Sequence, residues 1–172
     1  VGATALIAAP GVSVGDLPAL MERWQATILA AAPGVYRQML RHPLPALPHL
    51  RHGLSAGEAL SPDIRAAWQA ATGRPLCQAL GMTEVSTFVS ESPTHPAPAG
   101  SSGYAQQGRS IAVLDAAGAP VTRGTAGVLA VDRRDPGLML GYLNAPEATA
   151  ARMQGRWFVT GDMVEMADDG AI

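Results

Sequence analysis

The stretch from Gln78 to Glu84 brings together a glycine, a hydroxyl and a carboxylate at the end of an apolar run. The apolar residues predict a buried strand, and a glycine at its end lets a ligand approach the backbone because no Cβ stands in the way. The Thr83 hydroxyl can donate a hydrogen bond to a phosphate oxygen, and Glu84 offers the carboxylate that Mg²⁺ favours as a ligand. The residues alone also fit a strand-end turn with a solvated glutamate.

A second acidic group follows an aromatic, β-branched strand pattern at residues 157–159. In the sequence Thr160-Gly161-Asp162 the glycine predicts a sharp exit from that strand. A carboxylate placed there can accept hydrogen bonds from both hydroxyls of a ribose. Asp162 is also compatible with an Asx-type turn, in which its side chain only bonds to the local backbone.

Strand and helix patterns alternate through the first half of the chain, which favours an α/β layer with parallel strands. In such layers ligands bind beyond the carboxyl ends of the strands, and both Gly57 and Thr83 fall at predicted ends. Ser61 is the expected N-cap of one helix and Gly73 its stop, while Tyr36 is expected to pack in the core with its hydroxyl at the surface. The predicted strands are residues 3–8, 27–31, 51–56 and 75–80.

The composition changes near residue 92, where a loop rich in proline, alanine and serine begins. Short strand patterns at residues 111–114 and 127–131 follow, joined by a turn, and they indicate a β module. We therefore expect an α/β subdomain over residues 1–91, with nucleotide-binding strand ends, and a β-rich subdomain over residues 92–172.

Charge and hydropathy limit the kinds of partner that the chain can bind. The chain has a net charge of −2, a pI near 6.1 and 48% hydrophobic residues, so it can form a core but has no basic field for nucleic acid or an anionic membrane. No apolar run approaches the roughly 20 residues of a membrane-spanning helix, and no signal peptide is apparent. We expect a cytoplasmic protein with a small-molecule ligand. The oligomeric state is not predicted by these features.

Several segments resemble, in the same order, the motifs of the adenylate-forming (AMP-binding) superfamily of acyl-CoA and aryl-CoA synthetases, peptide-synthetase adenylation domains and luciferases. The resemblance implies part of that family's N-terminal domain, in which a parallel βαβ layer is followed by a small β-barrel-like subdomain. The similar segments are 57–60, 78–84, 100–103, 127–131, 137–144 and 157–162.

The resemblance also implies roles for individual residues. Thr83 would bind phosphate, Glu84 would hold Mg²⁺, and Asp162 would bind the ribose of ATP. The implied adenine contacts are Gly57, Glu58, Ala59, Gln78 and Leu80, and Gly81 is implied to lie against the bound cofactor. The weaker implied contacts with the acyl group are Ala56, Ala79, Gly81 and Ser86.

The family relationship implies an enzyme that activates a carboxylic acid with Mg-ATP to an acyl-adenylate and transfers the acyl group to CoA. Leu80 replaces the aromatic residue usual in the family, which favours an aryl-CoA synthetase similar to benzoate–CoA ligase. Two alternatives stay open: an adenylation domain that loads a carrier protein, and a non-catalytic structural fragment. All twelve basic residues are arginine, so two lysines used by the family are missing, and we expect an internal fragment that is inactive when isolated.

Overall fold

The computed structural model describes residues 2–172 of the chain. A short 3-10 turn at Val14–Asp16 precedes the first α-helix. The helices are α1 Leu17–Arg23, α2 Pro33–Met39, α3 Pro62–Thr72 and α4 Pro146–Ala151. The strands are β1 Ile28–Ala31, β2 His52–Ser55, β3 Leu76–Met82, β4 Ser86–Ser90, β5 Tyr104–Ala105, β6 Ile111–Leu114, β7 Ala126–Asp132, β8 Met153–Gln154 and β9 Trp157–Glu165.

The chain forms two compact units, the first ending at Gln78 and the second beginning at Ala79. This division falls inside β3, earlier than the composition change at residue 92 on which the predicted subdomain boundary was based. Residues 76–78 of β3 pair within the first unit, and residues 79–82 pair within the second.

The first unit contains the predicted parallel βαβ layer, which the structure confirms. β1 pairs in parallel with β2, and β2 pairs in parallel with the first residues of β3. Between β2 and β3, helix α3 begins at the predicted cap, where Ser61 Oγ accepts from the Ile64 N–H at 3.4 Å. It ends at Gly73, whose φ of +66° suits a residue without a Cβ.

The prediction of a first strand at residues 3–8 is wrong. The structure assigns no strand there, and Leu6 and Ile7 are 53% and 91% exposed. A strand is stable only when a neighbouring strand satisfies its backbone groups, and an apolar β-branched run does not reveal whether such a neighbour exists. The parallel layer therefore starts at β1.

The expected position of the Tyr36 hydroxyl is also wrong. Tyr36 is completely buried, and its ring contacts Trp68 edge to face with centroids 4.9 Å apart. Its hydroxyl donates to the Leu29 carbonyl at 2.6 Å and accepts from the Leu54 N–H at 3.1 Å. A buried phenol needs such partners, and here the backbones of β1 and β2 supply them.

The second unit is rich in antiparallel strands, as expected. The end of β3 pairs with β4, which pairs with β5. A separate antiparallel sheet has the order β6-β7-β9-β8. Fully buried side chains from both groups of strands, and from the turn between β3 and β4, form one apolar core. It includes Val85, Phe88, Leu129, Val131 and Phe158. The predicted α/β class, with a parallel layer followed by a β-rich part, is confirmed.

No helix within residues 2–172 combines the length and the apolar character needed to cross a bilayer.

Candidate functional site

Thr83 and Glu84 occupy the middle of a tight turn between β3 and β4. The Val85 N–H donates to the Met82 carbonyl at 3.1 Å, which closes the turn around them. Val85 itself is fully buried in the core of the second unit, whereas Thr83 is exposed and Glu84 is half-buried. The buried valine thus fixes the turn, and the hydroxyl and carboxylate are presented at the surface.

Gly81 lies within β3, at an irregularity in its pairing with β4, and not at the predicted strand end. A Cβ at this position would lie 2.7 Å from the Ser86 carbonyl oxygen and 2.9 Å from the Thr87 Cα. Those are backbone atoms of β4, so the hairpin itself requires a glycine here. The sequence pattern predicts a glycine here for the approach of a ligand, and the contact with β4 is a separate reason for it.

Two hydrogen bonds hold Glu84. Its carboxylate Oε1 accepts from the Tyr142 hydroxyl at 2.8 Å, and its backbone carbonyl accepts from the Met139 N–H at 2.6 Å. The hydrogen bond to Glu84 raises the pKa of Tyr142, an effect that the nearby Arg152 guanidinium opposes. Tyr142 therefore stays protonated near neutral pH and donates to the carboxylate.

Residues 160–162 do not leave the strand, contrary to the prediction, because β9 continues to Glu165. The pairing with β7 instead shifts between Val128 and Ala130, which places residues 160–162 in a bulge. Gly161 adopts a φ of +94°, and the Asp162 side chain is exposed. The bulge thus turns the carboxylate-bearing segment outward from the middle of a long strand.

Arg152 links the bulge to the turn that carries Glu84. Its Nη1 donates to the Thr160 carbonyl at 3.2 Å, and its guanidinium lies near the Tyr142 hydroxyl. The Asp162 N–H donates to Thr160 Oγ1 at 3.1 Å. Within the second unit, side-chain contacts therefore run from Glu84 through Tyr142 and Arg152 to the residue that supports Asp162.

In the first unit, the predicted adenine contacts Gly57, Glu58 and Ala59 lie on an exposed loop just beyond β2. Gly57 has a φ of +92° and open space where a Cβ would be. Ala56 is half-buried, and its N–H donates to the Ala31 carbonyl at 3.3 Å. The loop therefore has the expected position at the carboxyl ends of β1 and β2.

The remaining predicted residues lie along β3 and at the start of β4. Gln78 and Leu80 are half-buried, and Ala79 is buried at 3% exposure. Ser86 is exposed and adopts a φ of +65°, which is uncommon for a residue with a side chain. Their proposed contacts with adenine or the acyl group remain predictions.

The donor set around Glu84 fits a cation that is bound mainly by other groups. Among residues 2–172, no three side chains of His, Cys, Asp or Glu gather into a metal cluster. Mg²⁺ commonly binds through one or two carboxylates together with substrate phosphates and water. A single half-exposed carboxylate, with one oxygen engaged by Tyr142, matches that pattern.

Sequence reasoning missed Tyr142 and Arg152 as neighbours of the site. Tyr142 is 58 residues from Glu84 along the chain, and no local periodicity relates them. The only available signal was that residue 142 falls in one of the segments resembling the adenylate-forming enzymes. That resemblance gave no contact for it.

A parallel α/β layer is followed in this chain by a β-rich unit, in which a turn carries Thr83 and Glu84 and a bulge carries Asp162. The family model described as "AMP-binding enzyme" matches residues 1–143. The chain belongs to the AMP-binding enzyme family.

Among curated relatives, the chain is 32% identical over 174 residues to benzoate–CoA ligase of Thauera aromatica, a match that covers 99% of this chain and 33% of that protein. It is 31% identical over 173 residues to 3-hydroxybenzoate–CoA ligase of Aromatoleum sp. (strain CIB), with coverage of 98% and 33%. The chain thus spans about a third of the length of these relatives.

Solved structures with a similar fold include members of the same kind of enzyme. A benzoate CoA ligase from Burkholderia xenovorans LB400 superposes with a TM-score of 0.87 at 30% identity, covering 99% of this chain and 35% of that one. Apo MatB from Rhodopseudomonas palustris gives a TM-score of 0.84 at 29% identity, covering 92% and 32%. The fold is that of part of an acyl-CoA synthetase.

Proposed function

We propose that the protein containing this chain is an aryl-CoA synthetase that uses ATP, Mg²⁺ and CoA. The carboxylate of an aromatic acid would attack the α-phosphorus of ATP, releasing pyrophosphate and forming an acyl-adenylate. The CoA thiol would then take the acyl group and release AMP. The observation that supports this most directly is the similarity, over nearly the whole chain, to two ligases whose names specify benzoate and 3-hydroxybenzoate.

The chemistry suits a site without a nucleophilic side chain, because the substrate carboxylate is itself the nucleophile. The protein then has to position the reactants and balance phosphate charge. The exposed Thr83 hydroxyl is proposed to bind a phosphate oxygen, and Glu84 is proposed to hold Mg²⁺, which would neutralise charge on the phosphates. The exposed Asp162 carboxylate is proposed to accept hydrogen bonds from the ribose.

The remaining proposals concern the base and the acid. The exposed loop 57–59, with Gln78 and Leu80, is proposed to contact adenine, and Gly81 is proposed to lie against the bound nucleotide. An aliphatic Leu80 would pack against the base through apolar contact. The acyl group is proposed to lie near Ala56, Ala79, Gly81 and Ser86.

The test is ATP–pyrophosphate exchange by the full-length protein, with benzoate, 3-hydroxybenzoate and butyrate as alternative acids. We expect exchange with the aromatic acids and little with butyrate, followed by thioester formation when CoA is added. Preference for butyrate would overturn the aromatic assignment. Adenylation without acyl transfer to CoA would favour a carrier-protein acceptor. We expect no turnover by the isolated 172-residue chain, so turnover by that chain would contradict the proposal that it is an incomplete fragment.

The metal role is tested by Glu84→Gln, which keeps the shape of the side chain and removes its charge. We expect this variant to need a higher Mg²⁺ concentration for half-maximal exchange. Glu22→Gln is the matched control, because Glu22 is an exposed glutamate on α1 in the other compact unit. An unchanged Mg²⁺ dependence in Glu84→Gln would remove the metal role.

A further inference from the structure

Glu84 occupies a position where its side chain would otherwise be mobile. It lies in the middle of a turn and is half-exposed. Glutamate is also among the side chains with the most rotamer freedom. A carboxylate that binds a metal works best when a neighbouring group fixes its orientation. The structure contains such a group in Tyr142.

The Tyr142 hydroxyl lies 2.8 Å from Glu84 Oε1. The contact engages one of the two oxygens of the carboxylate. A donor on one oxygen restricts the rotation of the carboxylate and leaves the other oxygen for a cation. The contact therefore sets the direction in which Glu84 presents its charge.

Tyr142 is itself held by the first turn of α4. Its backbone N–H donates to Thr149 Oγ1 at 2.9 Å, and that hydroxyl donates to the Ala145 carbonyl at 3.1 Å. A Cβ on the preceding Gly141 would lie 3.1 Å from Thr149 Oγ1, so the backbone passes unusually close to α4. The tyrosine thus projects from a fixed backbone and not from a free loop.

The other end of the segment is fixed by a buried ion pair. Arg109 Nη1 pairs with Asp135 Oδ1, and the two side chains are 16% and 0% exposed. Asp135 Oδ1 also accepts from the Gly137 N–H at 2.8 Å, while Arg109 Nη2 donates to the Thr87 carbonyl at 3.0 Å. Arg109 therefore ties the start of the segment to β4, the strand that follows the Glu84 turn.

Between these two anchors, the Met139 N–H donates to the Glu84 carbonyl. The segment 135–142 is thus fixed at both ends and touches Glu84 through both its backbone and its side chain. We propose that Tyr142 is a positioning residue for the Glu84 carboxylate, and that the Arg109–Asp135 pair holds the segment that carries it. This inference rests on the proposed function, because it gives Tyr142 a role through the proposed metal ligand.

The experiment measures the affinity of the full-length protein for ATP by calorimetry, once with Mg²⁺ and once with EDTA. The carboxylic acid substrate is left out of both measurements. The ratio of the two affinities reports the contribution of the metal without requiring turnover. Loss of an outer partner of a metal ligand typically lowers metal affinity by about 10- to 100-fold. We expect Tyr142→Phe to reduce the ratio about tenfold, with the EDTA value unchanged.

Tyr104→Phe is the matched control. Tyr104 lies in the same unit, and its hydroxyl donates to Asp169 at 3.3 Å, so the substitution also removes one hydroxyl and one carboxylate contact. We expect its ratio to stay within twofold of the wild type. Asp135→Asn is the second variant, and we expect it to lower the ratio in the same direction as Tyr142→Phe if it remains folded by circular dichroism.

The outcomes separate the two claims. A reduced ratio in Glu84→Gln with an unchanged ratio in Tyr142→Phe overturns the positioning role and leaves the metal role of Glu84 standing. An unchanged ratio in both variants overturns both. An equal reduction of the affinity ratio in Tyr142→Phe and Tyr104→Phe also overturns the positioning role. The effect would then follow from the loss of any tyrosine hydroxyl.

Discussion

Each of the two compact units contains a tyrosine whose hydroxyl is hydrogen-bonded within the protein, but the two hydroxyls differ in burial and in the kind of partner. Tyr36 in the first unit is fully buried and bonds to the backbones of two strands. Tyr142 in the second unit bonds to a half-exposed carboxylate on a turn. The first hydroxyl completes a core, and the second orients a polar group toward solvent.

The loops near the candidate site differ in the same way. The exposed loop 57–59 begins at Gly57, where an added Cβ would meet no atom within 4 Å. The turn at Glu84 is held by Tyr142, by Met139 and by the buried Val85. Because ordering a side chain costs conformational entropy, a site whose carboxylate is already held loses less on binding a ligand. We therefore expect the Glu84 turn to be better preorganised for its proposed ligand than the loop 57–59 is for its own.

The largest expected effect comes from the buried ion pair of the second unit. Asp135→Ala would leave Arg109 buried without its partner, and we expect a loss of about 3–5 kcal/mol in the free energy of unfolding. Urea denaturation of the full-length protein, followed by circular dichroism, measures it. A loss below about 1 kcal/mol would mean that the pair does not hold segment 135–142.

A smaller effect is expected from the buried hydroxyl of the first unit. Tyr36→Phe removes the acceptor of the Leu54 N–H and the donor to the Leu29 carbonyl, which should cost about 1–3 kcal/mol. The same denaturation experiment measures this, with Tyr104→Phe as the partly exposed control. If Tyr36→Phe instead altered the Mg²⁺ contribution to ATP binding while leaving stability unchanged, the contrast between the two tyrosines would fail.

The smallest expected effect concerns acid stability at Asp132. Arg134, and then Arg156, hold the pKa of this carboxyl well below its usual range through hydrogen bonds. A depressed folded-state pKa means that the stabilisation is present above the unfolded value of about 3.9 and is lost as the pH falls through the folded value. Both arginine side chains are more than half exposed, so the gain is modest.

Thermal unfolding of the wild type and of Asp132→Asn between pH 7 and pH 2 checks this. We expect the wild type to be more stable at pH 7, and the difference to shrink below about pH 4. A difference that grows as the pH falls would have the wrong sign for a depressed pKa.

Local signals predicted much of the fold. Ser61 and Gly73 marked the ends of α3 because capping and left-handed backbone preferences act within a few residues. The prediction of a strand at residues 3–8 was wrong because a strand needs a partner strand, which can be distant in sequence. The prediction that the strand ends at residues 160–162 was also wrong, since a glycine permits a bulge as readily as a strand end.

The candidate site was predicted unevenly. Residue types and a family resemblance named Thr83, Glu84 and Asp162 as candidates, and their roles stay predictions. The contacts of Tyr142 and Arg152 were not predicted, because they join residues far apart in the chain. The role of Gly81 in the hairpin likewise required the position of β4.

The most direct test of the account is a crystal structure of the full-length protein with ATP and Mg²⁺. We predict a metal ion about 2.0–2.1 Å from a Glu84 carboxylate oxygen, with Tyr142 still bonded to the other oxygen. We also predict that Asp162 accepts hydrogen bonds from both ribose hydroxyls. A nucleotide whose metal is held by other side chains, or whose ribose does not contact Asp162, would contradict it.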